Sequence, residues 1–462
     1  MLSRHVVHHF SLLICIISLS SISAAQTPST EATNPGSKGV PGPQLQGENP
    51  TPVAEPNENE IGHFPDPLIQ PDPAASVLKP YYDVKHALRD QFDIHTELSY
   101  TFLYQYATNV LPSTVQPNDG HDLLNGRLDL GIEWRFLHYG QNDIAGVAAL
   151  FRSGENIGRN QRFVLNSNVG ATQGIDSLQG GAKQQADTLN LLYYEQTLFN
   201  RQLAIYVGEL HPNQDIELSM VANDERNQFL AGCVDGNAAN PLEGTYAPGA
   251  AIEWELPHDF HIHALTVTNS SQPQLGLQTF HEGRMYEAVE FGWQPAFGKA
   301  QHENDGGGYR GDYRVFFWNR DTATADGTGM GFGFDQEIGD GWTPFFRWGI
   351  ADGNVSAIRQ TYGGGIANTK PFGRRGDMFG LGVSWVDPSG SLTFTSNATP
   401  GAGTPIPAPI AGRQETLLET FYRINVTDSL QVSPDIEWLI HSADPRANNG
   451  TVIFGLRVKV LF

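Results

Sequence analysis

Charged and hydrogen-bonding side chains recur at every second position along many stretches of this chain. Arg127, Asp129, Glu133 and Arg135 alternate with Leu128, Leu130, Ile132 and Trp134. Arg310, Asp312 and Arg314 alternate with Tyr313, Val315 and Phe317, and Glu415, Glu419 and Arg423 oppose Leu418, Tyr422 and Ile424. Arg457 and Lys459 alternate with Leu456, Val458 and Val460. Asp335, Arg347 and Glu437 fall on the polar parity of their own stretches. Period two is the signature of a strand with one apolar and one polar face. Guanidinium and carboxylate groups on one face offer donors and acceptors together, the chemistry needed to meet the hydroxyls of a neutral polar solute. Aromatic residues of the same parity, Tyr206, Phe316, Trp318 and Phe345, add flat apolar surfaces for stacking on sugars.

Catalytic and metal chemistry is poorly supported. His261-Ile-His263 sets two imidazoles on one strand face, half of a zinc site with no third ligand close by. His121-Asp122 belongs to no nucleophile motif, and Gly329-Met-Gly-Phe-Gly-Phe lacks the Lys-Ser/Thr and the helix of a phosphate loop. No enzyme activity and no cofactor are expected. The formal charge of −22 argues against nucleic acid as a partner.

The elements that carry these faces are strands. Starts near residues 92, 124, 143, 188, 203, 248, 260, 285, 309, 329, 343, 357, 377, 413, 429 and 450 make sixteen. The strand near 357 is the faintest because Gly363-Gly364-Gly365 interrupts it. Connections after strands 2, 4, 6, 10 and 14 are short. Those after strands 1, 3, 5, 7 and 13, at 105–123, 153–187, 211–247, 269–284 and 387–412, are long. Residues 295–308 are too long for a simple turn. Alternating strands of about ten residues, with short turns on one side and long loops on the other, predict an all-β transmembrane antiparallel barrel. The mean hydropathy of −0.32 fits, because every second residue of such a barrel faces water. The polar parity then lines a channel, and the acidic loop 211–247 either folds inward to constrict it or caps the outside.

Ahead of the barrel, Leu12 to Leu19 form a short apolar run after Arg4, followed by small residues to Ala25. This reads as a signal peptide over residues 1–25. Residues 26–80 hold twelve prolines and read as a flexible linker, leaving 81–462 for the barrel. With Cys15 in the signal, Cys233 is the lone thiol expected in the exported chain. The alternation from Val452 ends on Phe462, the form of a strand read by barrel-assembly machinery, and this strand is expected to close the pore against residues 92–104.

Several short motifs, in order, resemble the carbohydrate-selective porins of the OprB type. They are Leu191-Leu-Tyr-Tyr-Glu-Gln-Thr-Leu198, Gly331-Phe-Gly-Phe-Asp335-Gln336 and Phe345-Phe-Arg347-Trp-Gly349. Arg374-Arg-Gly-Asp377, Glu419-Thr-Phe-Tyr-Arg423 and Ser433-Pro434-Asp435 follow. The resemblance covers roughly residues 85–462. It implies a bacterial outer-membrane channel, in contact with membrane lipid, for passive diffusion of carbohydrates. The residues themselves leave open a general or anion-selective porin, a structural or adhesive barrel, and a monomer or a trimer. The expected lining set is Arg127, Glu133, Arg310, Arg314, Asp335, Arg347, Glu415, Glu419, Arg423 and Arg457.

Overall fold

The computed structural model describes residues 67–462, apart from 113–119, 141, most of 158–187, 213–214, 242–245, most of 270–282, 299–308 and 395–408. Sixteen antiparallel strands form one closed sheet. In chain order they are β1 (Ile94–Ala107), β2 (Asp122–Tyr139), β3 (Asp143–Asn156), β4 (Thr188–Leu198), β5 (Leu203–Leu210) and β6 (Ala247–Leu256). Then come β7 (Phe260–Thr268), β8 (Met285–Trp293), β9 (Tyr309–Asp321), β10 (Asp326–Gln336) and β11 (Trp342–Ala351). The last are β12 (Ile358–Asn368), β13 (Met378–Pro388), β14 (Glu415–Thr427), β15 (Leu430–His441) and β16 (Thr451–Leu461). Each pairs with its sequence neighbour, and β16 closes the ring on β1 from Ser99↔Leu461 to Ala107↔Ile453. The seam therefore begins several residues later on β1 than the 92–104 expected. The Gly-rich strand β12 is real. Part of the puzzling 295–308 connection, Ala296–Phe297, extends the sheet against Tyr309–Arg310; the remainder from 299 lies outside the described residues.

The sheet is inside out relative to a soluble protein. Phe102, Tyr104, Trp254, Phe291, Trp438 and Phe454 are exposed on the outer face, while Arg127, Arg347, Glu419 and Arg457 are buried on the inner one. Near the short turns the outer rings touch in sequence across five strands. Phe260 meets Trp293 at 6.1 Å, Trp293 meets Tyr313 at 5.8 Å, Tyr313 meets Phe334 at 5.9 Å and Phe334 meets Phe346 at 6.0 Å. Such a belt sits where a membrane meets water.

The boundary expected at residue 80 falls inside an 18-residue helix, α1 (Ala75–Phe92), with Pro80 in its second turn. Proline there forgoes one backbone bond, but the helix is anchored at several points. Asp72 accepts from the Ala74 amide (2.7 Å) and the Ser429 hydroxyl (2.5 Å). Lys85 donates to the Phe462 carbonyl (3.0 Å), and the Leu68 and Ile69 amides donate to Asn425 and Val426.

Arg374 and Asp377 lock the turn before β13. Asp377 accepts from the Arg374 guanidinium at 2.7 and 3.1 Å, the Asn425 amide at 3.0 Å and the Tyr422 hydroxyl at 3.1 Å. Burial alone would raise this carboxyl, but these donors overrule it and hold it below its ordinary value. A depressed folded pKa means stabilisation that is present above the unfolded value and lost as pH falls through the folded one. Asp377→Asn is expected to cost about 1.5–3 kcal/mol at neutral pH, read as a lower unfolding temperature on heated gels. The gap from the parent barrel should close in strong acid.

A constriction built by an inward loop

The connection from β5 to β6 turns into the barrel. Nearly every described residue from His211 to Asn240 is buried. Two short elements shape it: a turn at Asp224–Gln228 and the helix α2 (Gly232–Asp235). A loop without regular structure exposes peptide groups, and inside a barrel those groups need partners. The inner wall supplies them.

On β11, Arg347 donates to the Ala222 carbonyl (2.5 Å), Asn223 Oδ1 (3.1 Å) and the Val234 carbonyl (3.0 Å). On β16, Arg457 donates to the carbonyls of Glu225 and Gln228. On β14, Glu419 accepts the Leu230 and Ala231 amides at 2.6 and 2.9 Å, and Arg423 donates to the Asn227 carbonyl at 3.2 Å. On β2, Arg127 donates to Glu225 Oε1 (2.5 Å), and on β10 Asp335 accepts from Ser219 (2.5 Å). Planar guanidinium groups suit this task because each can reach several carbonyls in a fixed fork.

The wall also makes room. A Cβ on Gly382 would lie 2.6 Å from Val234 and 3.0 Å from Phe229, and one on Gly349 would collide with the Asn237 side chain. Glycine lets the loop backbone come close to the sheet. Phe229 then packs between Phe345 (5.4 Å) and Phe421 (5.0 Å). A second inward segment, in the connection after β3, adds Leu165, Val169 and Ile175 to this interior apolar core. Gln105 holds it at the Ile175 carbonyl, Arg127 at Leu178, and Glu415 at the Thr172 amide (2.8 Å).

Comparison with known proteins agrees with this architecture. A family model described as "Carbohydrate-selective porin, OprB family" matches residues 141–462. The chain belongs to the OprB family of carbohydrate-selective porins. Porin AaxA of Chlamydia abortus is 23% identical over 312 residues, 65% of this chain and 62% of that protein. Porin AaxA of Chlamydia felis is 22% identical over 321 residues, covering 65% and 63%. The chain thus spans about three fifths of the length of these curated relatives. The solved structure of Pseudomonas putida OprB superposes with a TM-score of 0.62 at 13% identity, covering 83% of this chain and 97% of that one. That likeness shows the fold. Family and barrel together imply the bacterial outer membrane.

Six of the ten residues expected to line this porin touch the constriction loop directly: Arg127, Asp335, Arg347, Glu419, Arg423 and Arg457. Glu415 holds the other inward segment. Arg314 backs Asp335 (2.7 Å) and Asp312 (3.2 Å). Glu133 is engaged by its neighbour Arg135 at 2.5 Å. Arg310 stands apart: its side chain is 50% exposed and pairs with Glu337 at 3.2 Å near the start of β9. It has the right parity but sits beyond the wall of the constriction. The inward aromatics are also committed elsewhere. Phe345 packs on Phe229, Trp318 on Tyr286, and Tyr206 on Tyr193 with its hydroxyl on Glu253.

Arg152 and Arg226 were missed as partners of the wall. Arg152 pairs directly across the sheet with Asp129 (2.6 Å), and Arg226 reaches Glu97 and Asp129 at 3.7 Å. The signal for Arg152 was there, since it shares the inner parity of β3. Its companions Ala148 and Leu150 are apolar because the inward segments cover them, which disguises the face.

Proposed function

We propose that this porin passes neutral sugars by passive diffusion. The solute meets a mixed surface formed by Asn227 of the loop and Glu97 and Arg423 of the wall, backed by the buried Asp224, Arg226 and Lys459. The observation that carries this reading is the pairing of donors and acceptors across one seam. Lys459 donates to Asn227 Oδ1 (3.2 Å), Arg423 to the Asn227 carbonyl (3.2 Å), and Arg226 faces Glu97 (3.7 Å). Groups of both signs can exchange these contacts for solute hydroxyls, and weak contacts let the solute leave. The buried arginines, including Arg347 and Arg457, act one step back by fixing the loop. The family description supports the substrate class.

A second reading, an anion-selective porin, is favoured by six cations on one contiguous stretch of the sheet and the loop it holds: Arg127 and Arg152 on β2 and β3, Arg423 on β14, Arg457 and Lys459 on β16, and Arg226 on the loop. Planar bilayers separate the two. Titrated mono- and disaccharides should reduce ion current in a saturable way, and a salt gradient should give a reversal potential near zero. A strongly anion-selective potential with no sugar block would replace the first reading by the second.

In this reading residues 1–25 direct export and the proline-rich arm ahead of α1 is a periplasmic spacer. Membrane lipid surrounds the aromatic belt. Barrel-assembly machinery recognises β16 together with the Phe462 that follows it, and the barrel works as a monomer or a trimer.

A further inference from the structure

We propose that His261, His263 and Glu290 form a binding site for a divalent metal of the zinc type, and that the bound ion staples the constriction loop to the wall. His261 and His263 project from one face of β7 with stacked rings, 4.4 Å between centroids and 26° between planes. Glu290, on β8, stands directly opposite His263 in the strand register. That register supplies the third ligand absent from the local sequence. Glu290 Oε1 lies 3.3 Å from His261 Nε2 and 3.7 Å from His263 Nδ1. One donor atom from each residue falls within 4.8 Å of the others, and all three side chains are buried. Tetrahedral zinc with bonds of about 2.0–2.1 Å places neighbouring donors about 3.4 Å apart.

Three further observations point the same way. First, the Asp215 carbonyl, at the start of the inward loop, is 2.9 Å from His263 Nδ1 and offers a fourth oxygen. The Glu217 amide donates to the other Glu290 oxygen at 2.7 Å, orienting the carboxylate. Loop and wall therefore converge on the same few atoms. Second, Glu290 is an anion with no guanidinium hydrogen-bonded to it among the described residues. Its neighbour Arg314 pairs instead with Asp335 and Asp312. Glu253 and Glu255 bring two more carboxyl groups from β6, opposite His263 and His261 in the register. A buried, acidic, imidazole-bearing corner favours a dication. Third, His261 occupies the space a side chain on Gly292 would fill, since a Cβ there would collide with the imidazole. Its Nδ1 is buried without a hydrogen-bond partner among the described residues. The ring is thus set in place by a gap in the neighbouring strand.

The site is tested on the full-length, detergent-solubilised barrel with Zn2+ itself. After dialysis the parent protein should retain one zinc per chain, and Co2+ in its place should give visible absorption bands of a nitrogen- and oxygen-ligated ion. His261→Asn and Glu290→Gln should each weaken zinc binding at least about tenfold. Gly292→Ala, which keeps every ligand but displaces the His261 ring, should do so by about tenfold. Heat-modifiable migration on gels confirms that each variant is a barrel. In bilayers, added zinc should quiet current flicker in the parent and leave the His261→Asn record unaltered. Zinc retained equally by the parent and by all three variants, or not retained by the parent, overturns the site. Zinc bound as expected with no change in flicker overturns the staple.

Discussion

Replacing Arg347 by alanine should raise single-channel conductance severalfold and blunt discrimination between sugars, while the barrel still assembles. Arg347 is fully buried and serves three acceptors at two separate points of the loop, Ala222–Asn223 and Val234. Its Nε also lies 3.6 Å from Glu217. Alanine leaves two buried carbonyls unpaired and one carboxylate without its nearest cation. Removing one partner from a buried charge pair costs about 3–5 kcal/mol. That cost falls on the inward position of the loop and not on the sheet, whose β10–β11 and β11–β12 ladders do not use the side chain. Conductance in planar bilayers and liposome swelling with sugars of increasing size check this. Parent-like values in both would mean that the loop is held without Arg347.

Filling the wall should have a comparable effect by a different route. Gly382→Leu is expected to displace Val234 and Phe229, which stand 2.6 and 3.0 Å from where the new Cβ would sit. The loop backbone cannot retreat locally, because Glu419 grips Leu230 and Ala231 a few residues away. Overpacking a well-filled interior costs about 1–3 kcal/mol, and here it adds a steric push outward. The variant should show larger, noisier currents than the parent, with an assembled fraction on gels close to normal. A smaller conductance would instead show that the leucine points into the solute path.

The sheet was legible in the sequence because the membrane imposes a strict rule on one face. Lipid tolerates only apolar side chains, so Leu128 to Trp134 or Val452 to Phe454 announce their strands whatever lies inside. The inner face follows no such rule. Arg347, Glu419 and Arg457 were picked out by parity, which reports the direction of a side chain but not its partner. Their partners are loop backbone groups more than a hundred residues away, such as the Val234 carbonyl for Arg347 and the Leu230 amide for Glu419. Arg310 shows the limit of parity, because position along the strand also matters and Arg310 lies at its end. Helix α1 was obscured by Pro80, whose local cost is offset by contacts to the Asn425–Ser429 turn and Phe462 that no local pattern reveals. Glu290 joined the two histidines only through the β7–β8 register.

Cys233 gives the constriction loop its own clock. It is a buried residue of α2, with the Ser384 hydroxyl donating to its sulfur at 2.7 Å and the Gly363 face of the wall beside its backbone. A thiol reagent in the external medium reaches that sulfur only in the moments when the loop leaves the wall. The rate of alkylation at low reagent therefore reports the fraction of time the loop is away from the wall, and its plateau at high reagent counts departures, without an engineered label. One buried thiol thus records how much of the time the channel is unconstricted.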